Sequence, residues 1–222
     1  MGIIIIDGAG GVNKANVDAD GHLNVNVRPP AFQALGYYQQ VAVSGNIAAT
    51  LAANSALFSF RWADATRLCM IQSVKVGCIV TGTITTAVPF DLALFVARSF
   101  SASDTGGTGV GVPTNMQKMR SSMGSSLVTD FRMATTGTLT AVTRTLDTNP
   151  IARVQGNSGT AVGTQFFGTG SPQPLYLRDN VDHHPIILAQ NEGFVVTAPL
   201  AGPASGTFSI LVQVIWGELN SY

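Results

Sequence analysis

The sequence predicts an all-β protein: an antiparallel β-sandwich with a jelly-roll-like plan. The main evidence is the alternation of side chains in three segments, 207–218, 56–62 and 90–97, because successive strand residues face opposite sides of a sheet. In the last strand the apolar set is Phe208, Ile210, Val212, Val214 and Trp216. No segment of similar length shows a helical period. An immunoglobulin-like sandwich is the alternative arrangement.

Ten candidate strands follow from these patterns, and prolines fall between them or at their edges, where proline is tolerated. The strands are 38–44, 55–62, 67–80, 90–98, 126–133, 138–145, 173–178, 185–189, 193–197 and 206–218. Within this set, residues 184–197 have the pattern of a hairpin, since two apolar runs flank the turn residues Gln190–Gly193. This number of strands suits two packed four-stranded sheets with additional hairpins.

Two long polar segments interrupt the strands. Residues 101–125 are rich in glycine, and we expect a surface excursion there with one helical turn near 115–120. Residues 149–164 are interpreted as a second excursion. Long ordered excursions on a β-sandwich usually make contacts, so 101–125 is expected to contribute lateral contacts between subunits.

The domain organisation predicted from the chain is an extended N-terminal arm, residues 1–36, followed by a β-sandwich domain, residues 37–222. The arm starts with the β-prone run Ile3, Ile4, Ile5 and Ile6, which Asp7–Gly11 interrupts. A short alternating strand begins at Leu23 and ends before Pro29 and Pro30, which enforce extended backbone.

The scarcity of charge is the second informative property. Charged residues make up 11% of the 222 residues, against about 25% in an ordinary soluble domain. Protein interfaces are depleted in Lys, Glu and Asp, so we expect much of this surface to contact other protein subunits. The 12 basic and 12 acidic residues balance and form no basic run, which argues against direct contact with nucleic acid.

The two cysteines, Cys69 and Cys78, lie nine positions apart. In a single strand that spacing is roughly 30 Å, whereas a disulfide needs Cα atoms within about 7 Å. We interpret both as reduced, buried thiols, which fits synthesis in a reducing cytoplasm. The N-terminus shows no signal peptide and no membrane-spanning segment.

One cluster has the residue types of a metal site: Asp179, Asp182, His183 and His184. Asp182 and His184 are the candidate ligands, because adjacent histidines point to opposite faces of an extended chain. A polar loop before a strand is the simpler interpretation.

Catalytic and cofactor-binding patterns are otherwise lacking in the sequence. There is no Gly-x-Ser-x-Gly elbow, and the glycines at 8–10 and 107–111 lack the residues and the following helix of a phosphate-binding loop. The sequence therefore predicts no catalytic residues and no cofactor.

The pair Phe166 and Phe167 must split across two faces of an extended segment, so one ring is predicted to anchor an interface. Exposed aromatic residues would also suit a glycan-binding platform, although most lie at strand spacing and are expected in the core.

Several stretches resemble a group of tailed-bacteriophage virion proteins. They are residues 51–62, 97–108, 119–123 and 184–194 and the end of the chain around Trp216. These stretches are spread over most of residues 50–218. The resemblance implies a non-enzymatic structural component of the particle, with no catalytic residues to transfer.

From this resemblance we expect a capsid decoration or cement protein in the virion, made in the host cytoplasm and assembled as a homotrimer. It would contact the major capsid protein or another virion protein. Ile3–Ile6 would add as a strand to an adjacent subunit. A tail, baseplate or neck component is one alternative, and a host-receptor or glycan-binding module is the other.

Overall fold

The computed structural model describes residues 16–17, 23–24, 36–110, 116–168, 172–178 and 184–220. The strands in chain order are β1 (Asn16–Val17), β2 (Leu23–Asn24), β3 (Gly36–Val43), β4 (Ile47–Ala48), β5 (Ser55–Arg61), β6 (Leu68–Gly82), β7 (Pro89–Phe100), β8 (Thr108–Gly109), β9 (Gln117–Lys118), β10 (Asp130–Met133), β11 (Arg144–Leu146), β12 (Ala152–Asn157), β13 (Gln173–Leu177), β14 (Ile186–Leu188), β15 (Gly193–Ala198) and β16 (Thr207–Leu219). No helix occurs among these described residues.

The chain divides into two compact units, Met1–Gln33 and Ala34–Tyr222. The described part of the first unit is the antiparallel pair of β1 and β2, in which Asn16 lies opposite Asn24. Most of residues 1–36 lie outside the described residues, so the predicted division into an arm and a sandwich domain stays a prediction.

The second unit is an antiparallel β-sandwich, as the alternating patterns predicted. One seven-stranded sheet, called the first sheet below, has the order β11-β7-β15-β5-β10-β8, with β12 also paired to β7. The other, called the second sheet, has the order β13-β6-β16-β3-β9, with β14 on β6 and β4 on β16. All of the pairings within them are antiparallel.

Aromatic side chains join the two sheets across the core. The ring of Phe60 on β5 meets that of Trp216 on β16 edge to face, with centroids 5.7 Å apart. Phe90 on β7 packs on Phe208 of β16 in the same way, at 5.2 Å. In β16 and β7, these inward side chains belong to the apolar set that the alternating sequence pattern assigned to one face of the strand. Edge-to-face pairs of this kind add about 0.5–1.5 kcal/mol each beyond burial of their area.

Both cysteines lie on β6, and both are free and buried. An irregularity in the pairing of β6 with β16 leaves Gln72 without an opposite residue, because Ile215 faces Ser73 and Trp216 faces Ile71. A bulge of this kind shifts the alternation by one residue. Cys69 and Cys78 therefore both reach the core, although nine residues separate them. The prediction of reduced, buried thiols is confirmed.

Several local predictions are wrong; the strand predicted at 138–145, for example, overlaps only the first two residues of β11. Residues 149–164 do not form only an excursion, because β12 lies within them and pairs along β7 from Ala152 opposite Leu94 to Asn157 opposite Pro89. Its alternation is weak, because Ala152 and Val154 are its only apolar residues and are just partly buried, while Arg153, Gln155 and Asn157 are exposed. The helical turn expected near 115–120 is instead β9, where Gln117 and Lys118 pair with Gln39 and Tyr38; residue 115 lies outside the described residues.

Candidate functional site

The outward face of the second sheet is built by three long strands, β3, β16 and β6. Their register places Leu211 between Val43 and Gly77, and Gln213 between Val41 and Lys75. Because the inward neighbours of these residues are buried in the core, these positions face away from the sandwich. Val43, Leu211 and Gly77 thus form one row across the sheet.

This surface exposes apolar side chains and has almost no charge. Val41 is 41% exposed, Val43 59% and Ile79 39%. The three strands contain only two charged residues, Lys75 and Glu218, and Glu218 is buried at 1% exposure. Lys75 is therefore the single charge that these strands present to solvent. We call the surface formed by Val41, Val43, Lys75, Gly77, Ile79, Ser209, Leu211 and Gln213 the neutral face.

A cavity of about 170 Å³ opens into the neutral face. Its lining consists of Val43, Gly77, Cys78, Ile79, Gln165, Ser209 and Leu211. Gly77 lies beside Leu211 in the row across the sheet. Because Gly77 has no side chain, the surface has a depression at its position. Gln165 closes one side, since it bridges to Ile79. A cavity in this size range accommodates one apolar side chain or a small aromatic ring.

The first sheet is different, because charged side chains are frequent on its strands. Arg98 pairs with Asp147 at 2.7 Å, Arg132 with Asp130 at 3.7 Å, and Arg153 with Asp91. Arg144 on β11 pairs with the buried Asp104. Charged residues are therefore distributed unevenly: they are frequent on the first sheet and nearly absent from the neutral face.

A shallow groove of about 580 Å³ lies beside the first sheet. It is lined by Pro89, Asp91, Arg153, Gln155, Gly156, Asn157 and Leu200. The groove offers carboxylate, guanidinium and amide groups, but Asp91 and Arg153 already pair with each other. None of these lining residues is aromatic.

The predicted interface residues Phe166 and Phe167 lie on the core. Phe166 is buried and packs edge to face on Phe90, with centroids 5.2 Å apart. Phe167 is partly buried against the same cluster, with its ring centroid 6.4 Å from that of Phe90. The ring of Phe166 is thus not available to a second protein in this structure, and an interface role for Phe167 stays a prediction.

The other predicted site residues lie partly outside the described chain. Ile3, Ile4, Ile5, Ile6 and Asp182 are outside the described residues. His184 is exposed, and its Nδ1 lies 2.7 Å from the carbonyl oxygen of Pro185. No three His, Cys, Asp or Glu side chains gather as a metal site in the part of the chain that the structure describes. That part also contains no helix with the length and apolarity needed to cross a bilayer.

Sequence reasoning missed the neutral face as a specific surface. Its apolar members are one or two residues in each of three strands, and only the sheet register brings them into rows. No protein-family model matches the chain. No curated protein and no solved structure matches it either.

Proposed function

We propose that the protein is a non-enzymatic structural protein of a tailed-phage virion, a homotrimer that decorates and cements the head. The observation that supports this most is the neutral face, on which Val41, Val43 and Ile79 are exposed beside a single lysine. Exposed apolar surface with little charge is typical of a surface that another protein covers. The resemblance in residues 51–62, 97–108 and 184–194 provides the virion context.

The proposed mechanism is burial of apolar area between subunits. Each Å² of apolar surface removed from water contributes about 25 cal/mol, offset by the cost of association and side-chain ordering. The neutral face suits this role because few charged groups would need to be desolvated. Lys75 can keep its ammonium group in water while its aliphatic stem packs on the interface.

The order of the strands supports the jelly-roll assignment. Eight strands pair as one long nested hairpin: β3 with β16, β5 with β15, β6 with β13, and β7 with β12. These four pairs are divided between the two sheets, and the chain crosses from one sheet to the other between most successive strands. Double-sheet jelly rolls with eight strands occur in viral capsid proteins and also in lectins.

The cement function is tested with full-length protein and one pair of substitutions. Ile79→Lys places a charge in the neutral face, and Val162→Lys places the same charge at a loop position that is 60% exposed. We expect wild type and Val162→Lys to sediment as trimers and to occupy the head in cryo-electron microscopy of the virion. Ile79→Lys should lose both properties by at least about tenfold, since it removes apolar area from the contact and adds a charge that the neighbouring subunit must accommodate. Monomeric wild-type protein, or density absent from the virion, would refute the proposal.

Position on the particle separates the head from the alternative location. A tail, baseplate or neck component would assemble through the same kind of face, so the oligomeric state alone does not distinguish the two. Cryo-electron microscopy of intact particles does. Density on the head lattice supports the cement role, and density confined to the tail or neck supports the alternative.

The groove beside the first sheet favours a second candidate, a glycan-binding module. Gln155 and Asn157 supply amide groups of the kind that bind sugar hydroxyls, and the same architecture occurs in lectins. The lack of an aromatic ring in its described lining weakens this candidate. A glycan array probed with the trimer tests it: saturable binding that Asn157→Ala abolishes would support a receptor-binding role, and an empty array would exclude this candidate for the glycans tested.

A further inference from the structure

One edge of the second sheet is partly open. The amide of Ser44 donates a 2.8 Å hydrogen bond to the carbonyl oxygen of Ile210 on β16. In an antiparallel pair the residues whose backbone groups bond to the partner strand alternate with residues whose groups point away. Val41 and Val43 are odd-numbered like Tyr37, whose carbonyl oxygen accepts the amide of Met119 on the far side of β3. Their backbone N–H and C=O groups therefore point outward from the sheet edge.

The strand that covers this edge is too short to reach these residues. β9 pairs only with Tyr38 and Gln39 of β3. Beyond Val43, Gly45 lies close against the backbone of Thr135. Between these two points, Gln40–Val43 has no strand partner on its outer side among the described residues. On that side, the one hydrogen bond found in the described part of the chain is local: the Gln40 side-chain amide donates to the Val41 carbonyl oxygen at 3.2 Å.

This open edge lacks the features that normally prevent strand addition. Natural edges are protected by charged side chains, proline or bulges. Residues 40–43 are Gln, Val, Ala and Val, and the pairing of this stretch with β16 is regular. Val41 and Val43 are exposed beside it, on the neutral face. An incoming strand would thus gain both main-chain hydrogen bonds and apolar contacts.

The chain itself contains a segment with matching properties. Ile3–Ile6 is a run of four β-branched apolar residues, and such residues favour strands. Four residues extend about 13 Å, which is also the length of the open stretch Gln40–Val43. Asp7 and Gly8 follow directly and would end the added strand. The 29 residues from Asp7 to Leu35 can span at most about 100 Å, enough to reach a neighbouring subunit.

We propose that the outer edge of β3 at Gln40–Val43 is the acceptor for Ile3–Ile6 of a second copy of this chain. The added strand extends the second sheet by one position and places alternate isoleucine side chains beside Val41 and Val43. This inference rests on the proposed function, because it specifies how neighbouring copies in the assembly are joined. Each copy both donates a segment and offers an edge, so the contact is heterologous, and in the proposed trimer it repeats three times around a ring.

Disulfide trapping between two full-length variants tests this contact. Two donor variants are made in one tagged chain, Ile4→Cys and Ile5→Cys. Adjacent side chains of a strand face opposite sides, so one of the two variants places its sulfur on the same side as the acceptor residue. The second chain, with a different tag, carries Val43→Cys. Cys69 and Cys78 are buried and do not compete. The control acceptor is Val162→Cys, which matches Val43 in exposure, 60% against 59%.

We expect a disulfide between the two tagged chains at Val43 in at least about tenfold higher yield than at Val162, because a bond needs Cα atoms within about 7 Å. Equal yields at both positions would overturn the acceptor assignment. Trimers that persist without any cross-link at Val43 would overturn this inference and leave the proposed function intact. Protein that never associates would overturn both.

A second variant removes the acceptor without a new thiol. Val43→Pro lacks the outward N–H, and its amide is not used in the pairing with β16, so the sandwich is expected to fold. The variant should lose the cross-link from the N-terminal segment to a Val41→Cys acceptor by at least about tenfold. Unchanged cross-linking in folded Val43→Pro would contradict the proposed strand addition.

Discussion

The Ser126 hydroxyl donates a 2.6 Å hydrogen bond to Oε1 of Glu218, and both residues are buried. The same oxygen accepts the amide of Leu127 at 2.9 Å and the indole N–H of Trp216 at 3.3 Å. A carboxylate near the end of the last strand thus holds the segment that leads into β10. This arrangement satisfies three donors inside the sandwich with a single acceptor.

The pH dependence of stability should change when this carboxylate is neutralised. Burial raises the pKa of Glu218, and the hydrogen bonds from Ser126, Leu127 and Trp216 oppose that rise only in part. Since the folded pKa lies above the unfolded value of about 4.5, the group favours folding fully below that pH. The contribution is lost as pH rises through the folded pKa.

Glu218→Gln keeps an oxygen acceptor and removes this titration. We expect the free energy of unfolding of Glu218→Gln, minus that of wild type, to increase from about pH 4 to pH 7. Urea unfolding at several pH values measures it. Asp130, whose pKa is also raised by burial, is present in both proteins and cancels in the difference. A difference that is constant with pH would contradict this account.

A buried ion pair should contribute more to stability than an exposed one on the same sheet. Asp104 is fully buried, pairs with Arg144 on β11 and accepts the amide of Val142 at 3.1 Å. Asp104→Ala leaves the Arg144 guanidinium buried without a partner, which costs about 3–5 kcal/mol. Denaturant unfolding measures this cost.

The matched control is the exposed pair formed by Arg98 and Asp147, with N and O atoms 2.7 Å apart. Asp147→Ala is expected to cost less than about 1 kcal/mol, because solvent screens that pair. Equal losses of unfolding free energy in Asp104→Ala and Asp147→Ala would mean that burial of Asp104 does not determine how much its ion pair stabilises the fold.

Gly193 at the start of β15 is required for a close approach between strands. A Cβ atom at this position would collide with the carbonyl oxygen of Phe60 and lie 2.9 Å from the ring of Phe100. Gly193→Ala is expected to destabilise the fold by about 1–3 kcal/mol or more, since a packed core does not yield easily. Gly137→Ala is the control, because no atom lies within 4 Å of its added Cβ. Thermal unfolding of both variants tests this, and similar melting temperatures would contradict it.

Burial and strand pairing leave different traces in the sequence. The strand β16 was predictable because its inward side chains, such as Phe208 and Val212, are apolar and its outward ones are mostly less so. The strand β12 was missed, because only Ala152 and Val154 are apolar on its inward side and both are just partly buried. Apolar alternation reports burial and not pairing, so a short strand with two small, half-buried apolar residues leaves only a weak signal.

The candidate site depends on register, which a single strand does not encode. Val43, Leu211 and Gly77 belong to one row although they are far apart in the chain. The bulge at Gln72 likewise places Cys69 and Cys78 on the same side against their simple parity. Scarcity of charge was visible in the composition, but its concentration on one face follows only from the packing of the two sheets.

The two thiols should be inert in the folded protein. Burial raises the pKa of Cys69 and of Cys78 well above the usual thiol value, and the nearby Glu218 carboxylate adds to the effect at Cys69. Only the thiolate reacts with disulfide reagents, so native protein at about pH 8 should release no thiol signal with Ellman's reagent over minutes. Two thiols per chain should react once the protein is unfolded in guanidinium. Rapid labelling of Cys69 in native protein would show that the core opens around β6, and it would contradict the close packing of that strand against β16. Labelling of Cys78 alone would show that the reagent enters through the cavity that this residue lines.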